Sequence, residues 1–152
     1  MPDPNAHPHQ ILALSLGGEE YAAPLARVQE VIDFEAPHSV GSGVPWLRGV
    51  INLRGKIVPV CDLAARLGVD GGAGERKIVI VEAADDLGGV IVDAVSEVLT
   101  VPATGLEDAA GPGGDLVQGV AWAGDRVLPV LNLDGVFATP APAAFAMRPT
   151  AA

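Results

Sequence analysis

The 152-residue chain holds a single cysteine, Cys61, so no disulfide can form within it. Aromatic residues make up only 4%, which leaves any core to Val, Leu, Ile and Ala. Lys and Arg number 9 against 19 Asp and Glu, a formal charge of −10. Without clustered cations, the chain is not expected to bind nucleic acid or an anionic membrane surface, and the acidic balance also serves simply to keep a protein in solution. No apolar run approaches the ~20 residues a membrane-spanning helix needs, so direct membrane insertion is not expected. The opening residues, Met1-Pro2-Asp3-Pro4-Asn5-Ala6-His7-Pro8-His9, have no basic segment followed by an apolar one, and a cytoplasmic location is expected.

Groups that converge for catalysis are missing too. A nucleophile needs a base, acid–base work needs a second carboxylate, and a metal needs ligands at workable spacing. Cys61 lies in an apolar run and reads as a small buried hydrophobe. His7 and His9 could pinch a metal with Asp3 only within a polar, proline-rich tail, and His38 stands alone. The doublets Asp85-Asp86 and Glu107-Asp108 read as solvated turns, and Gly71-Gly72-Ala73-Gly74 follows a helix instead of opening one, the reverse of a phosphate cradle. No active site, metal site or cofactor is expected.

Hydrophobic residues, at 49%, suffice for a sizeable core. The stretch Trp46 to Leu63 organises them: an apolar strand from Gly49 to Leu53, a turn at Arg54-Gly55, and a second strand from Lys56 to Cys61 that is apolar at nearly every position. Gly55 takes the positive φ that a two-residue loop requires, and Asp62 suits the N-cap of a short helix ending at Gly68. Before it, Ile11 to Leu16 and Tyr21 to Leu25 form a hairpin, and Ala26 to Ile32 is either one helical turn or a bent strand with Val28, Val31 and Ile32 on one face. After it, Lys77 to Glu82 pairs with Gly88 to Val95, which Ser96 to Val101 extends. Val117 to Trp122 then pairs with Arg126 to Leu131, and Asn132 caps a last helical turn through Phe137.

The halves repeat. At an offset of 67, Val28, Glu30 and Val31 fall on Val95, Glu97 and Val98. At an offset of 70, Gly49, Val50, Pro59, Val60 and Leu63 fall on Gly119, Val120, Pro129, Val130 and Leu133, with Asp62 on Asn132. The expected organisation is a disordered tail at 1–10, a domain at 11–138 built from two similar β units (about 11–70 and 77–137), and a flexible or weakly helical tail at 139–152. Closing each sheet into a barrel would remove its edges.

The run Leu47-Arg48-Gly49-Val50-Ile51-Asn52-Leu53-Arg54-Gly55, followed by Ile57-Val58-Pro59-Val60 and Asp62-Leu63, resembles the signature of CheW-like domains, the coupling proteins of bacterial chemosensory arrays. The resemblance covers about residues 11 to 137. It implies a mainly β fold of two small five-stranded barrels, each like a Src-homology-3 barrel, around a common apolar core. It also implies a non-enzymatic adaptor joining the cytoplasmic tips of chemoreceptors to a CheA-type histidine kinase, recruited to receptor arrays at the inner face of the membrane. By the same resemblance Val28, Glu30, Val31 and Arg54 contribute to the receptor-facing surface, with Arg48 and Gly49 in its neighbourhood, while Val28 and Val31 read on their own could equally be core. Gly55, Asp62 and Asn132 are the structural turn and caps. Two alternatives stay open from the sequence: the same fold in a non-flagellar pathway such as twitching motility, biofilm formation or gene regulation, and a small-molecule binder or enzyme on a duplicated barrel.

Overall fold

The computed structural model describes residues 9–41, 43–71, 75–83, 85–102, 105–108 and 116–138. The strands are β1 (His9–Leu16), β2 (Glu19–Pro24), β3 (Val28–Asp33), β4 (Leu47–Leu53), β5 (Lys56–Asp62), β6 (Lys77–Ala83), β7 (Asp86–Val92), β8 (Ala94–Val101), β9 (Leu106–Asp108), β10 (Val117–Ala123) and β11 (Arg126–Leu131). Short helices α1 (Leu63–Leu67) and α2 (Leu133–Phe137) follow β5 and β11, and a 3-10 turn, Leu25–Arg27, joins β2 to β3. The segment expected as a helical turn or a bent strand is therefore both in succession. β1 begins at His9, inside the expected tail, because His9 and Gln10 pair with Val101 and Thr100. The remaining tail residues, 1–8 and 139–152, with Asp3 and His7, lie outside the described residues, as does most of the Gly71–Gly74 run.

The strands form two sheets, ordered β8-β1-β2-β11-β10-β9 and β3-β6-β7-β5-β4. These do not follow the sequence halves. Each half gives its first hairpin, β1–β2 or β6–β7, to the sheet completed by strands of the other half. The two orders match under the repeat, with β3-β6-β7-β5-β4 answering to β8-β1-β2-β11-β10. The sixth strand, β9, also has a counterpart: Glu107 pairs with Val120 as His38 bridges Val50. Gly88 to Val95 does not run on into Ser96–Val101 as one strand. It breaks at Asp93, whose N–H donates to the Ser15 carbonyl at 3.0 Å, and β8 crosses to the other sheet to pair with β1.

Alternation along the shared strands explains the exchange. On β1, Ile11 and Ala13 point into a core with Leu128 and Val130, while Leu12, Leu14 and Leu16 point into a central layer. On β6, Ile78 and Ile80 fill the second sheet's core with Ile51, Val58 and Val60, while Val79, Val81 and Ala83 meet the same central layer. A strand covered on both faces needs an unbroken apolar run, and both hairpins supply one. Each fully buried Leu, Ile or Val here contributes about 1.5–3 kcal/mol relative to exposure.

The helices close this layer. Asp62 Oδ1 accepts from Ala65 N–H at 3.3 Å and Asn132 Oδ1 from Gly135 N–H at 3.2 Å, the two expected caps. Gly68 ends α1 in the left-handed conformation at φ 75°. Arg66 of α1 then donates to the carbonyls of Gly135, Val136 and Ala138 at 2.9–3.1 Å, satisfying the end of α2, while its guanidinium lies 4.7 Å from the centroid of Trp46. A side chain at Gly88 would stand 2.5 Å from the Phe137 ring, so that position must be bare for α2 to seat.

Candidate protein-interaction surface

The β4–β5 hairpin is built around its tip. Arg54 and Gly55 both take positive φ, 51° and 88°, as a two-residue turn matched to strand twist requires. Asn52 Oδ1 accepts from Gly55 N–H at 2.8 Å and steadies the loop from within. Glycine bears this backbone without cost, but arginine does not, so Arg54 holds a conformation that a smaller residue would hold more easily.

Its side chain reaches β3. Arg54 Nη1 donates to Glu30 Oε1 at 3.3 Å and Nη2 bonds Glu30 Oε2 more closely, while the arginine stays 71% exposed. The hydrogen bond from Arg54 holds the Glu30 carboxyl below its ordinary value, outweighing the water lost around it. The resemblance implies that Arg54 contributes to a receptor-facing surface. The guanidinium is solvated, but it already engages a carboxylate of its own chain, 24 residues away.

Cross-strand pairing settles the faces of β3. Its register against β6 slips between Val28 and Glu30, so Val28 and Val31 sit opposite Val81 and Val79, on the side of the central layer. Glu30 and Ile32 sit opposite Ile80 and Ile78, on the other side. Val28 and Val31 therefore share a face as expected, and Ile32 does not join them. Val28 packs against the central core, whereas Val31 is 39% exposed on a strand that pairs along one edge only.

Arg48 and Gly49 lie at the other end of the hairpin from its tip. Arg48 Nη2 and Nε donate to Asp62 Oδ2 at 2.9 and 3.2 Å, so Asp62 both caps α1 and holds the arginine. Gly49 is buried at φ 145°, and a Cβ there would meet the His38 carbonyl oxygen at 2.0 Å. Its role in the structure is to let the 35–45 loop bond Val50 in both directions, at 2.8 and 2.9 Å. Thus Glu30 and Arg54 meet beside the tip and Val31 faces the opposite side of β3, while Arg48 and Gly49 fix the hairpin's base.

Among the described residues no catalytic constellation accompanies this surface. Cys61 is fully buried, and burial pushes its thiol up to about 12, leaving no thiolate at neutral pH. Among the described residues no three His, Cys, Asp or Glu side chains are grouped to hold a metal ion, and no helix is long and apolar enough to cross a membrane.

The sequence reading missed a second exposed surface. On the outer face of β10–β11, Trp122 is 43% exposed and Val127 44%, and they are direct cross-strand partners. The signal lay in the repeat, which places Trp122 where the first hairpin has Asn52.

Comparison with known proteins places this geometry. A profile for the CheW-like domain matches residues 10–141. The probable chemotaxis protein CheW of Rhizobium etli is 27% identical over 139 residues, covering 88% of this chain and 90% of its own. The chemotaxis protein CheW of Bacillus subtilis is 33% identical over 102 residues, covering 66% and 65%. Among solved structures, the scaffolding protein TtCheW from Thermoanaerobacter tengcongensis superposes with a TM-score of 0.79 at 32% identity, over 87% of this chain and 94% of its own.

Proposed function

The chain belongs to the CheW-like domain family, and from that premise we propose that it couples chemoreceptors to a CheA-type histidine kinase. At the coarser level it is a chemotaxis adaptor of that family, a scaffold and not an enzyme. The finer reading assigns the receptor's cytoplasmic tip to the surface around Glu30, Val31 and Arg54. Val28 backs it from the core, and Arg48 and Gly49 support it from the hairpin base. The kinase's regulatory domain binds elsewhere on the molecule. In this reading the chain works at the inner face of the membrane, recruited to receptor arrays.

The observation that supports this most is the state of Arg54. It keeps a left-handed backbone and a 71% exposed guanidinium where the turn itself would do better with Asn or Gly. Glu30 positions that guanidinium without burying it, so its remaining donors can meet a carboxylate or carbonyl on a helical partner, while the exposed Val31 offers apolar contact on the other side of the same edge strand. Receptor conformation then reaches the kinase through how rigid bodies are held, with no bond made or broken in this chain. Titrating a receptor cytoplasmic-tip fragment tests the assignment. Arg54→Ala should leave the denaturation midpoint near that of wild type and weaken receptor binding about 10-fold or more. Unchanged receptor affinity in this variant would remove the hairpin tip from the binding surface.

A further inference from the structure

We propose that Arg27, held by Asp134 of α2, is a positioning residue for receptor binding: together with the Asp33–Lys77 pair it fixes β3 in the register that sets Glu30 against Arg54. The inference rests on the receptor-facing role proposed for Glu30 and Arg54, and adds residues that act through β3 instead of touching the partner.

Burial alone fixes β3 weakly. It is an edge strand that pairs with β6 alone, and none of its residues is fully buried. Both faces of β6 are apolar, with Ile78 and Ile80 on one and Val79 and Val81 on the other, so a slip of one residue meets no polar barrier. The slip would matter. Val28 stands opposite Val81, but Glu30 stands opposite Ile80, because Gln29 is an extra residue between them. Without that bulge Glu30 would stand opposite Val79, on the side of the central layer, and Arg54 would lose its carboxylate.

Charge pairs hold the strand on either side of the bulge. Ahead of it, Arg27 Nε donates to the Glu82 carbonyl at 2.8 Å and Nη2 to Asp134 Oδ1 at 2.6 Å, so one guanidinium joins the root of β3 to β6 and to α2. Beyond it, Lys77 Nζ donates to Asp33 Oδ1 at 2.5 Å, between residues that are directly opposed. The two ends of β3 are thus held in registers one residue apart, and the extra residue must lie between them. Arg66 fixes the far end of α2, which makes Asp134 a firm anchor for Arg27.

The repeat separates these pairs from the needs of the fold. β8 carries the same bulge at Ser96, between Val95 opposite Leu14 and Glu97 opposite Ala13. At the repeat offsets, Ala94 and Ala64 stand where Arg27 and Asp134 do, and Thr100 and Gln10 where Asp33 and Lys77 do. Both members of each pair are replaced together by uncharged residues, yet the bulge is kept. The fold therefore forms it without these charges, which are present only on the strand that carries Glu30 and Val31. Exposed pairs add little to global stability, so their effect falls on the local opening of an edge strand.

Titration of the receptor-tip fragment into wild type, Arg27→Ala, Asp134→Ala, the double variant and Arg54→Ala tests this, with hydrogen exchange of the β3 amides measured on each. Arg27→Ala and Asp134→Ala should each keep a denaturation midpoint near that of wild type, speed β3 exchange about 10-fold and weaken receptor binding about 5-fold. The double variant should lose no more than either single one, because the pair acts as a unit. Losses that add in the double variant, or weaker binding with β3 exchange unchanged, would make these residues direct contacts and overturn the positioning role. A lowered midpoint with exchange quickened throughout the chain overturns it too, since the pair would then hold the whole fold. Wild-type affinity in both single variants while Arg54→Ala binds weakly overturns this inference alone. Wild-type affinity in Arg54→Ala overturns the receptor-facing surface and this inference with it.

Discussion

At the scale of single residues, the hairpin tip and the hairpin base answer to different physics. Gly49 is needed for space: its φ of 145° and the 2.0 Å approach of the His38 carbonyl leave no room for a methyl group. Gly49→Ala should cost about 2 kcal/mol or more in a denaturant melt, by displacing the loop bonded to Val50. Glu30, in contrast, makes an exposed pair of small energetic weight whose pH dependence has a definite sign. Its folded carboxyl is held below the ordinary value of 4.5, so the contribution is fully present above that value and is lost as pH falls through the folded value. Asp33 and Asp86 are lowered in the same sense, by Lys77 and by the Leu87 N–H respectively. Melting curves of wild type and Glu30→Gln should therefore differ at neutral pH and converge in acid. A gap that widened on acidification would contradict this account of the pair. The turn glycine and the two caps were legible in the sequence because each is a local requirement. The Glu30–Arg54 pair was not, since it depends on how β3 approaches a hairpin 24 residues further along.

At the scale of elements, the sequence showed nearly every strand and both helices but not which strands share a sheet. The repeat itself is the reason. If two hairpins carry the same apolar alternation, either can complete either sheet without changing which faces are buried, so patterning cannot tell an exchanged arrangement from a separate one. What could be read was the unbroken apolar character of β1 and β6, which calls for cover on both faces; the central layer they share with α1 and α2 provides it. The slip in register between Val28 and Glu30 was illegible for a related reason, since an unpaired extra residue leaves no mark in composition. The exchange has a direct consequence. Chains cut in the connection at 72–74, giving fragments 1–71 and 75–152, should each fail to unfold cooperatively alone. β1–β2 would lack β8 and β11, and β6–β7 would lack β3 and β5. Mixing the fragments should restore a single cooperative transition with native circular dichroism. A sharp transition in either isolated fragment would mean that the halves are independent after all.

At the scale of the whole molecule, the exchange makes the two sheets one mechanical body. Each sequence half contributes to both sheets, and the layer between them is the largest of the apolar clusters, so the sheets cannot easily rotate apart. A body of this kind passes a shift at one sheet on to the other without absorbing it between them, as an adaptor whose output is geometry requires. The family was readable from the signature at Leu47–Leu63 because its glycines, proline and cap are tied to the fold. The exposed Trp122–Val127 pair was not, because Trp122 is conspicuous only once its exposure is known. The most direct test of the coupling account is sedimentation of a receptor cytoplasmic fragment, assembled on vesicles, with the kinase and this chain. The account predicts that the kinase pellets with the receptor only when this chain is present, that all three co-sediment, and that Arg54→Ala releases chain and kinase together. Kinase that pellets to the same extent without the chain, or a chain that stays in the supernatant with both partners present, would contradict it.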